Sequence, residues 1–382
     1  MSKPLTVAIN IAIEGWAQRC MVRGIVRYCR SHTLWKFIEY KGMPLARSPH
    51  LECFDYDGLI TPLNTPIEIR SARAKRVPVV AISRGLPISG VSYHSVISDD
   101  ALIGEMGARH FLDKGFRNFA YYGASHYRWA LMRRDGFCRT VKKAGFSVAI
   151  AETPHARVFD KAMPCLRRWL TELPRPLAVM ASDDLPGRHI LAACQEMGLQ
   201  VPEQVAVLGV DDDDVLCEMA APPMSSVVQD SDRIGYEAAA LLDRIMRGER
   251  LPPQTIEIPP LRIVTRRSTD VTAIEDADVA KVLRLIHSKT SEPLSVKALL
   301  RNVPMSRRTL ERRFAAALGR SPADEIRRCR LDRAMLLLRT STLKIDLVAI
   351  KSGFGDARGM AAAFRHGLKT SASAYRRQFQ DH

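Results

Sequence analysis

The chain has 382 residues, 46% apolar and 26% charged, which is enough for two or three folded domains and argues against a disordered chain. No run of eighteen apolar residues occurs, so hydropathy gives no membrane span. The net charge of +16 is uneven: residues 271–382 hold 22 Lys and Arg against 11 Asp and Glu, whereas the first 270 hold 35 against 30. A basic terminal region on a near-balanced body points to a polyanion, most often nucleic acid; a merely solvated basic surface is the plainer alternative.

The first apolar run, LTVAINIAI, is nine residues long and runs directly into Glu14. One basic residue precedes it and no small-residue cleavage site follows, so it reads as a buried strand rather than a signal peptide. From there to about residue 265, short β-branched runs alternate with amphipathic stretches. Strands are expected over Leu5–Ile11, Gly58–Thr61, Pro78–Ser83, Asn118–Tyr122, Leu177–Ser182 and Val205–Val210. Helices are expected over Arg19–Ser31, Ala101–Lys114, Trp129–Ala144, Lys161–Leu173, Leu185–Met197 and Asp232–Arg247. This alternation specifies parallel sheets with helices on both faces. There are too many βα units for one ordinary doubly wound sheet, so the expected body is α/β with two lobes and a cleft. The eight Cys form no CxxC pair, which favours reduced thiols and a cytoplasmic setting.

Pro259 and Pro260 mark the end of the strand-rich region. The body is expected to span 1–267 and the linker 268–280, overlapping the polar, charged stretch Thr265–Asp276. Residues 281–382 then read as all helix. A weak repeat at an offset of 50 residues matches Leu310, Phe314, Gly319 and Ser321 with Met360, Phe364, Lys369 and Ser371. Each copy has a short helix, a turn (Asn302–Met305, Ser352–Gly355) and a second helix opened by a capping residue, Ser306 or Asp356. The pattern is two helix-turn-helix units, joined by a long helix over Ala323–Arg339.

At 100° per residue, Leu310, Phe314, Ala317 and Leu318 share one face of the helix Arg307–Leu318, and Arg308, Thr309 and Arg312 lie opposite. An apolar-anchored helix with Arg on its outer face suits a major groove. Ser306 and Arg307 complete the expected DNA-facing set. The second such helix, Ala357–Arg365, presents Arg358 beside Gly359 and Ala362. It is expected to read bases less and to position the domain on phosphates through Arg365, His366 and Lys369. The strings SRRTLERRFAAALGRSPADEIRRCRLDRAMLLL, IDLVAIKSGFGD and AAAFRHGLKTSASAYRR resemble the AraC-type DNA-binding domain. The resemblance implies two helix-turn-helix units on double-stranded promoter DNA. Lys369 and Ala372 depart from the family's usual Gly and Pro, and Gly359–Met360 from a usual aromatic pair.

In a two-lobed α/β body the ligand sits at the carboxyl ends of strands. Ser83, Asp99, Asp183 and Asp211 fall at such ends, and Arg133 could point into the same cleft. Carboxylates accept from vicinal hydroxyls, Arg donates in pairs, and Trp16, Trp129 or Tyr127 could pack on a sugar ring. Arg19 joins the set; with Arg128 it would suit a sugar phosphate. The run Asp211–Asp214 can equally be a solvated loop or a helix cap. It lacks the spaced partners of a metal site, so no metal or cofactor is expected. No HExxH, GxxxxGK, GxGxxG or GxSxG motif occurs, and no nucleophile–base pair assembles, so no enzyme is expected.

The strings LRRWLTELPRPLAVMASDDLPGRHILAACQEMGLQVPEQVAVLGVDDDD and PPMSSVVQD resemble the periplasmic-binding-protein-like sensor of LacI/GalR-type repressors. That resemblance implies effector contacts at Arg133, Asp183 and Asp211. A LacI-like sensor followed by an AraC-type domain is similar to a class of xylose-responsive activators, as are YHSVISDDALIG and RWALMRRDGF. The resemblance implies D-xylose as effector, a homodimer and RNA polymerase as partner of an activator. The alternatives are another pentose, a hexose or a sugar phosphate as effector, a repressor, or a carbohydrate enzyme with a DNA-binding tail.

Overall fold

The structure is a computed structural model describing residues 4–11, 13, 15–39, 55–62, 77–83, 93–153, 159–270, 276–290, 292, 294–368 and 370–380. It divides into two units. Residues up to Arg109 and Asn118–Asp270 form the first; His110–Arg117 and the residues after Asp270 form the second.

Among the described residues the first unit holds two six-stranded sheets. In one, β11 (Thr255–Ile258), β5 (His94–Ser98), β4 (Val79–Ala81), β3 (Gly58–Thr61), β1 (Leu5–Ile9) and β2 (Trp35–Glu39) lie side by side, all parallel. In the other the order is β12 (Arg262–Val264), β10 (Ser225–Val228), β9 (Val205–Val210), β8 (Leu177–Ala181), β6 (Asn118–Gly123) and β7 (Val148–Glu152). Among the described strands there, only β12 runs antiparallel, paired to β10. Each sheet is one lobe. The chain passes between them after β5, after β10 and between β11 and β12.

Central strands such as β8 and β9 are buried at every position, which is why they are legible as unbroken apolar runs. The strands missing from the sequence reading include all four edges, β2, β7, β11 and β12. β7, β11 and β12 carry exposed positions, so their apolar runs are broken. The other two, β5 and β10, begin with polar residues; Ser95, Ser225 and Ser226 are buried and hydrogen-bonded through their side chains. Pro259 and Pro260 do not end the strand region, because β12 follows them.

Among the described residues the first unit's helices are α1 (Trp16–His32), α2 (Asp100–Asp113, whose end falls in the second unit), α3 (Arg128–Lys143), α4 (Phe159–Glu172), α5 (Asp184–Glu196), α6 (Asp214–Glu218) and α7 (Ser231–Met246). α1 and α7 meet backbone to backbone. A Cβ on Gly24 would lie 1.9 Å from the Asp232 carbonyl oxygen, and one on Gly235 would lie 1.8 Å from that of Met21.

The expected boundary at 267 moves. Ser268 and Thr269 are fully buried in a 3₁₀ turn, Arg267–Thr269, bonded to β9 and β10, so the first unit ends at Asp270. The next helix, α8 (Ala277–Ser288), starts four residues before the expected 281 because Asp276 caps it.

The second unit continues with α9 (Val296–Leu299), α10 (Arg307–Leu318), α11 (Pro322–Thr340), α12 (Ile345–Lys351), α13 (Ala357–Leu368) and α14 (Ala372–Gln380). Its core has two parts. Leu283, Ile286, Leu299, Leu310 and Phe314 fill one, and Ala334, Leu338, Val348, Met360 and Phe364 fill the other. The two parts are the two copies of the repeat, with α11 shared. Each buried Leu or Phe contributes about 1.5–3 kcal/mol. Ser321 and Ser371 cap α11 and α14 in equivalent fashion. Lys369 lies outside the described residues.

Candidate effector cavity and nucleic-acid interface

A cavity of about 490 Å³ lies between the lobes of the first unit, within the range of small-ligand sites. A smaller one of about 110 Å³ shares Gln18, Ser83, Trp129 and Asp211 with it. Trp16, Gln18, Ile82 and Ser83 contribute from one lobe; Tyr127, Trp129, Asp183, Asp184, Asp211 and Asp213 contribute from the other. Ser83, Asp183 and Asp211 follow the carboxyl ends of β4, β8 and β9, where α/β sheets bind ligands.

Each carboxylate is held by local chemistry. Asp183 caps α5, accepting from the Leu185 amide at 3.2 Å and from Ser182 Oγ at 3.0 Å. Asp213 caps α6, accepting from the Leu216 amide at 3.0 Å. The acidic run is thus both a helix cap and part of the cavity wall. An ionised carboxylate has about four lone-pair sites, so capping leaves acceptors for a ligand. Asp184 is 2% exposed and accepts from Ser226 Oγ at 2.7 Å and the Asp213 amide at 2.8 Å. Burial, reinforced by the nearby Asp211, holds its carboxyl well above the usual carboxylate range.

Arg133 lines the smaller cavity and is 4% exposed. Its Nε donates to Asp100 Oδ1 at 3.0 Å and its Nη1 to the Ser182 carbonyl at 2.6 Å. The guanidinium lies 3.8 Å from Asp211 and 4.5 Å from the Trp129 ring centre. Asp211 also accepts from Gln229 Nε2, and Gln229 Oε1 accepts from Ser98 Oγ of the other lobe. Burial pushes the Asp211 carboxyl up to about 7, with Arg133 opposing.

Of the expected effector residues, Trp16, Ser83, Asp183 and Asp211 meet at the larger cavity and Arg133 at the smaller. Two do not line either. Asp99 accepts from the Leu102 amide at 2.9 Å, capping the first turn of α2, and the next residue, Asp100, points to Arg133 instead. Arg19 is exposed; its Nη1 donates to the Ile13 carbonyl at 3.3 Å and its guanidinium sits 5.7 Å from the Trp16 ring centre. Asp100, Asp184, Asp213 and Gln229 line the two cavities without being expected there from the sequence. Asp100 and Gln229 stand where the chain passes between lobes, a place visible only once β5 and β10 are assigned.

In the second unit Ser306 caps α10, accepting from the Thr309 amide at 3.2 Å. Leu310 and Phe314 are fully buried, which turns Arg308 and Arg312 outward. Neither has an ion-pair partner among the described residues, and both are exposed. The remaining expected contacts are partly occupied. Thr309 is half-buried with its hydroxyl 2.9 Å from Ser306 Oγ, and Arg307 pairs with Glu311 at 2.8 Å. Arg313 grips the α8 cap, Asp276, and so holds α10 against α8. On α13, Asp356 accepts from the Gly359 amide at 2.7 Å. Met360 and Phe364 are buried, and Arg358, Gly359, Ala362, Arg365 and His366 are exposed. The turn before α13 needs Gly353: its φ is +84°, and a Cβ there would lie 2.2 Å from the Thr290 carbonyl oxygen.

The two helices therefore differ in reach. Arg308→Ala is expected to cost about 1–3 kcal/mol of operator binding and to relax sequence preference at the contacted base. Arg358→Ala should weaken binding more evenly across sequences. Binding-site selection with each variant checks this; an equal loss of discrimination would contradict it.

Residues 108–269 match the family of the periplasmic binding protein-like domain, and residues 299–378 match a helix-turn-helix domain family. The xylose operon regulatory protein of Escherichia coli strain K12 is 30% identical over 369 residues, covering 94% of this chain and 93% of the relative. The chain belongs to the xylose operon regulatory protein family. The Haemophilus influenzae member is 26% identical over 367 residues, with 94% of each covered. A solved xylose-binding transcription activator is 26% identical with a TM-score of 0.63, and 98% of each chain is covered. The chain is thus a sugar-responsive, DNA-binding transcription regulator. No helix among the described residues of this regulator is long and apolar enough to cross a membrane.

Proposed function

We propose that this regulator binds D-xylose between the lobes and, in response, activates genes of xylose use through its helix-turn-helix units. The observation that carries the reading is the chemistry of the larger cavity. Four Asp side chains and three aromatic rings line it, with no Lys or Arg among its described lining residues. Such a wall accepts from hydroxyls and packs on a ring's C–H face, and it repels a phosphate. Arg19 and Arg128, the cations that would suit a sugar phosphate, do not line it. The relatives named for xylose support the choice among neutral sugars.

The mechanism is differential binding: the sugar favours closed lobes over open ones and shifts that equilibrium. Closure re-spaces two sensors of a cytoplasmic homodimer, and two DNA-binding domains on one duplex gain effective concentration only when the spacing fits. An activator acts on RNA polymerase bound nearby. No catalytic residue is assigned, in keeping with relatives that are transcription regulators.

Calorimetry against pentoses, hexoses and their phosphates tests the reading. D-xylose should bind most tightly; tighter binding of a phosphorylated sugar, or turnover of any sugar, overturns it. DNA affinity should also fall linearly on a log–log plot against salt, by roughly one unit of slope per phosphate neutralised.

A further inference from the structure

The segment that leaves the first unit is fastened to the loop that lines the cavity. Arg266 follows β12 and precedes the 3₁₀ turn, after which the chain continues beyond Asp270 into the second unit. Its Nη1 donates to Asp212 Oδ1 at 2.8 Å and to the Met224 carbonyl at 3.1 Å, and its Nε donates to Glu218 Oε1 at 2.7 Å. Arg266 and Asp212 are both largely buried, with side chains 16% and 18% exposed. Asp212 sits between Asp211 and Asp213, which line the cavity, and does not line it itself.

Two further features make this connection stiff. Asp211 and Asp212 have φ of 110° and 56°, a region that residues other than Gly adopt only when their surroundings enforce it. The loop amides are accordingly bound: Asp211 to the Val227 carbonyl at 3.0 Å, Asp212 to Ser226 Oγ at 3.0 Å and Asp213 to Asp184 Oδ2 at 2.8 Å. The exit segment is bound to the same strands. Ser225 Oγ accepts from the Arg266 amide at 2.8 Å and donates to its carbonyl at 3.0 Å. Ser268 Oγ donates to the Val207 carbonyl at 2.6 Å, and Thr269 Oγ1 to Ser225 Oγ at 2.7 Å.

We propose that the Arg266–Asp212 pair is the relay through which the occupied cavity acts on the segment leading to the DNA-binding unit. This rests on the reading of the cavity as the effector site. A ligand bonded to Asp211 and Asp213 fixes the peptide planes on either side of Asp212 and so fixes its carboxylate. The planar Arg fork transmits that position because it is held at two carboxylates and a carbonyl at once. Without a ligand's bonds to Asp211 and Asp213 the stiff loop can switch as a unit to a second arrangement, in which the fork, and the exit segment with it, sits differently. The pair thus supplies the difference between states that any ligand-driven shift requires.

The test uses the full-length chain with Arg266→Gln and, separately, Asp212→Asn. D-xylose affinity is read by calorimetry, and operator affinity by fluorescence anisotropy with and without the sugar. In the parent, the sugar-induced change in operator affinity should be on the order of 5–150-fold. In each variant it should shrink to about twofold or less, while sugar affinity and sugar-free operator affinity stay within about threefold of the parent. Asp212→Asn keeps the side chain's shape and leaves Arg266 its other two acceptors, so it guards against a folding defect in Arg266→Gln. Variants that respond as the parent does overturn the relay alone. Variants that lose sugar affinity in parallel also overturn it, because the pair then only shapes the cavity. A parent that binds no sugar of the panel overturns the functional reading and the relay with it.

Discussion

Replacing Glu325 with alanine is expected to destabilise the helix-turn-helix region by about 3 kcal/mol, the lower end for breaking a buried ion pair, because Arg320 and Arg328 keep Asp113 as a partner. Glu325 is fully buried on α11. Its two oxygens accept from Arg320 and Arg328, and His287 Nε2 of α8 lies 3.0 Å away. It therefore ties α8, the end of α10 and α11 together around the first half of the shared core. Burial alone would raise its pKa; the bonds from His287 and Arg328 and the charges of Arg328 and Arg320 more than reverse this and hold it far below the usual range. The sign follows from linkage: a carboxyl depressed on folding stabilises fully above its unfolded value, about 4.3, and the benefit drains away as pH falls toward the folded value. Thermal unfolding of the parent should thus show a loss of stability below about pH 4 that Glu325→Ala lacks. His287, Glu325 and Cys329 are also close enough to share a metal ion, but two guanidiniums already occupy the carboxylate.

Asp211→Asn is expected to weaken sugar binding by about 1.5–3 kcal/mol, the range of a hydrogen bond to a charged group, or roughly 10–150-fold. The ionised carboxylate accepts from hydroxyls, and burial pushes the Asp211 carboxyl up to about 7. Sugar affinity should therefore decline as pH falls below about 7, by at most tenfold per unit. Calorimetry in buffers of different ionisation enthalpy should show proton release on binding near neutrality. The stability dependence has the opposite sense. A carboxyl raised on folding contributes stability that is present below its unfolded value, about 3.9, and is lost as pH rises through about 7. Measured without sugar, the sensor should gain stability on mild acidification while its affinity for sugar declines. An Asp211→Asn variant with native affinity and the same pH profile would remove Asp211 from the site.

Much of this architecture is readable from the sequence where one physical cause dominates. The runs LAVMA and VAVLGV are buried on both faces, and nothing polar competes with them. The α10 pattern of Leu310 and Phe314 against Arg308 and Arg312 is set by helical periodicity alone. The reading fails where tertiary context decides. Edge strands need only one covered face and carry residues such as Glu152 and Glu257. In ISDD, strand-end position marks both acidic residues, and only the turn geometry sends Asp100 to Arg133 while Asp99 caps the helix. Ser268 and Thr269 look like linker because each is polar; their partners in β9 and β10 lie more than 40 residues away. Arg266 has the same problem, with Asp212 54 residues away in the chain.

Under the proposed function, occupancy of the inter-lobe cavity sets how the helix-turn-helix units engage DNA. Titrating the full-length chain onto the duplex upstream of the genes it controls, with and without saturating D-xylose at fixed salt, tests it most directly. A shift in operator affinity on the order of 5–150-fold, the usual size of such couplings, and its absence with the Asp211→Asn variant at the same sugar concentration, is the predicted result. Equal affinity with and without the sugar, at a concentration where calorimetry shows the cavity filled, would contradict it.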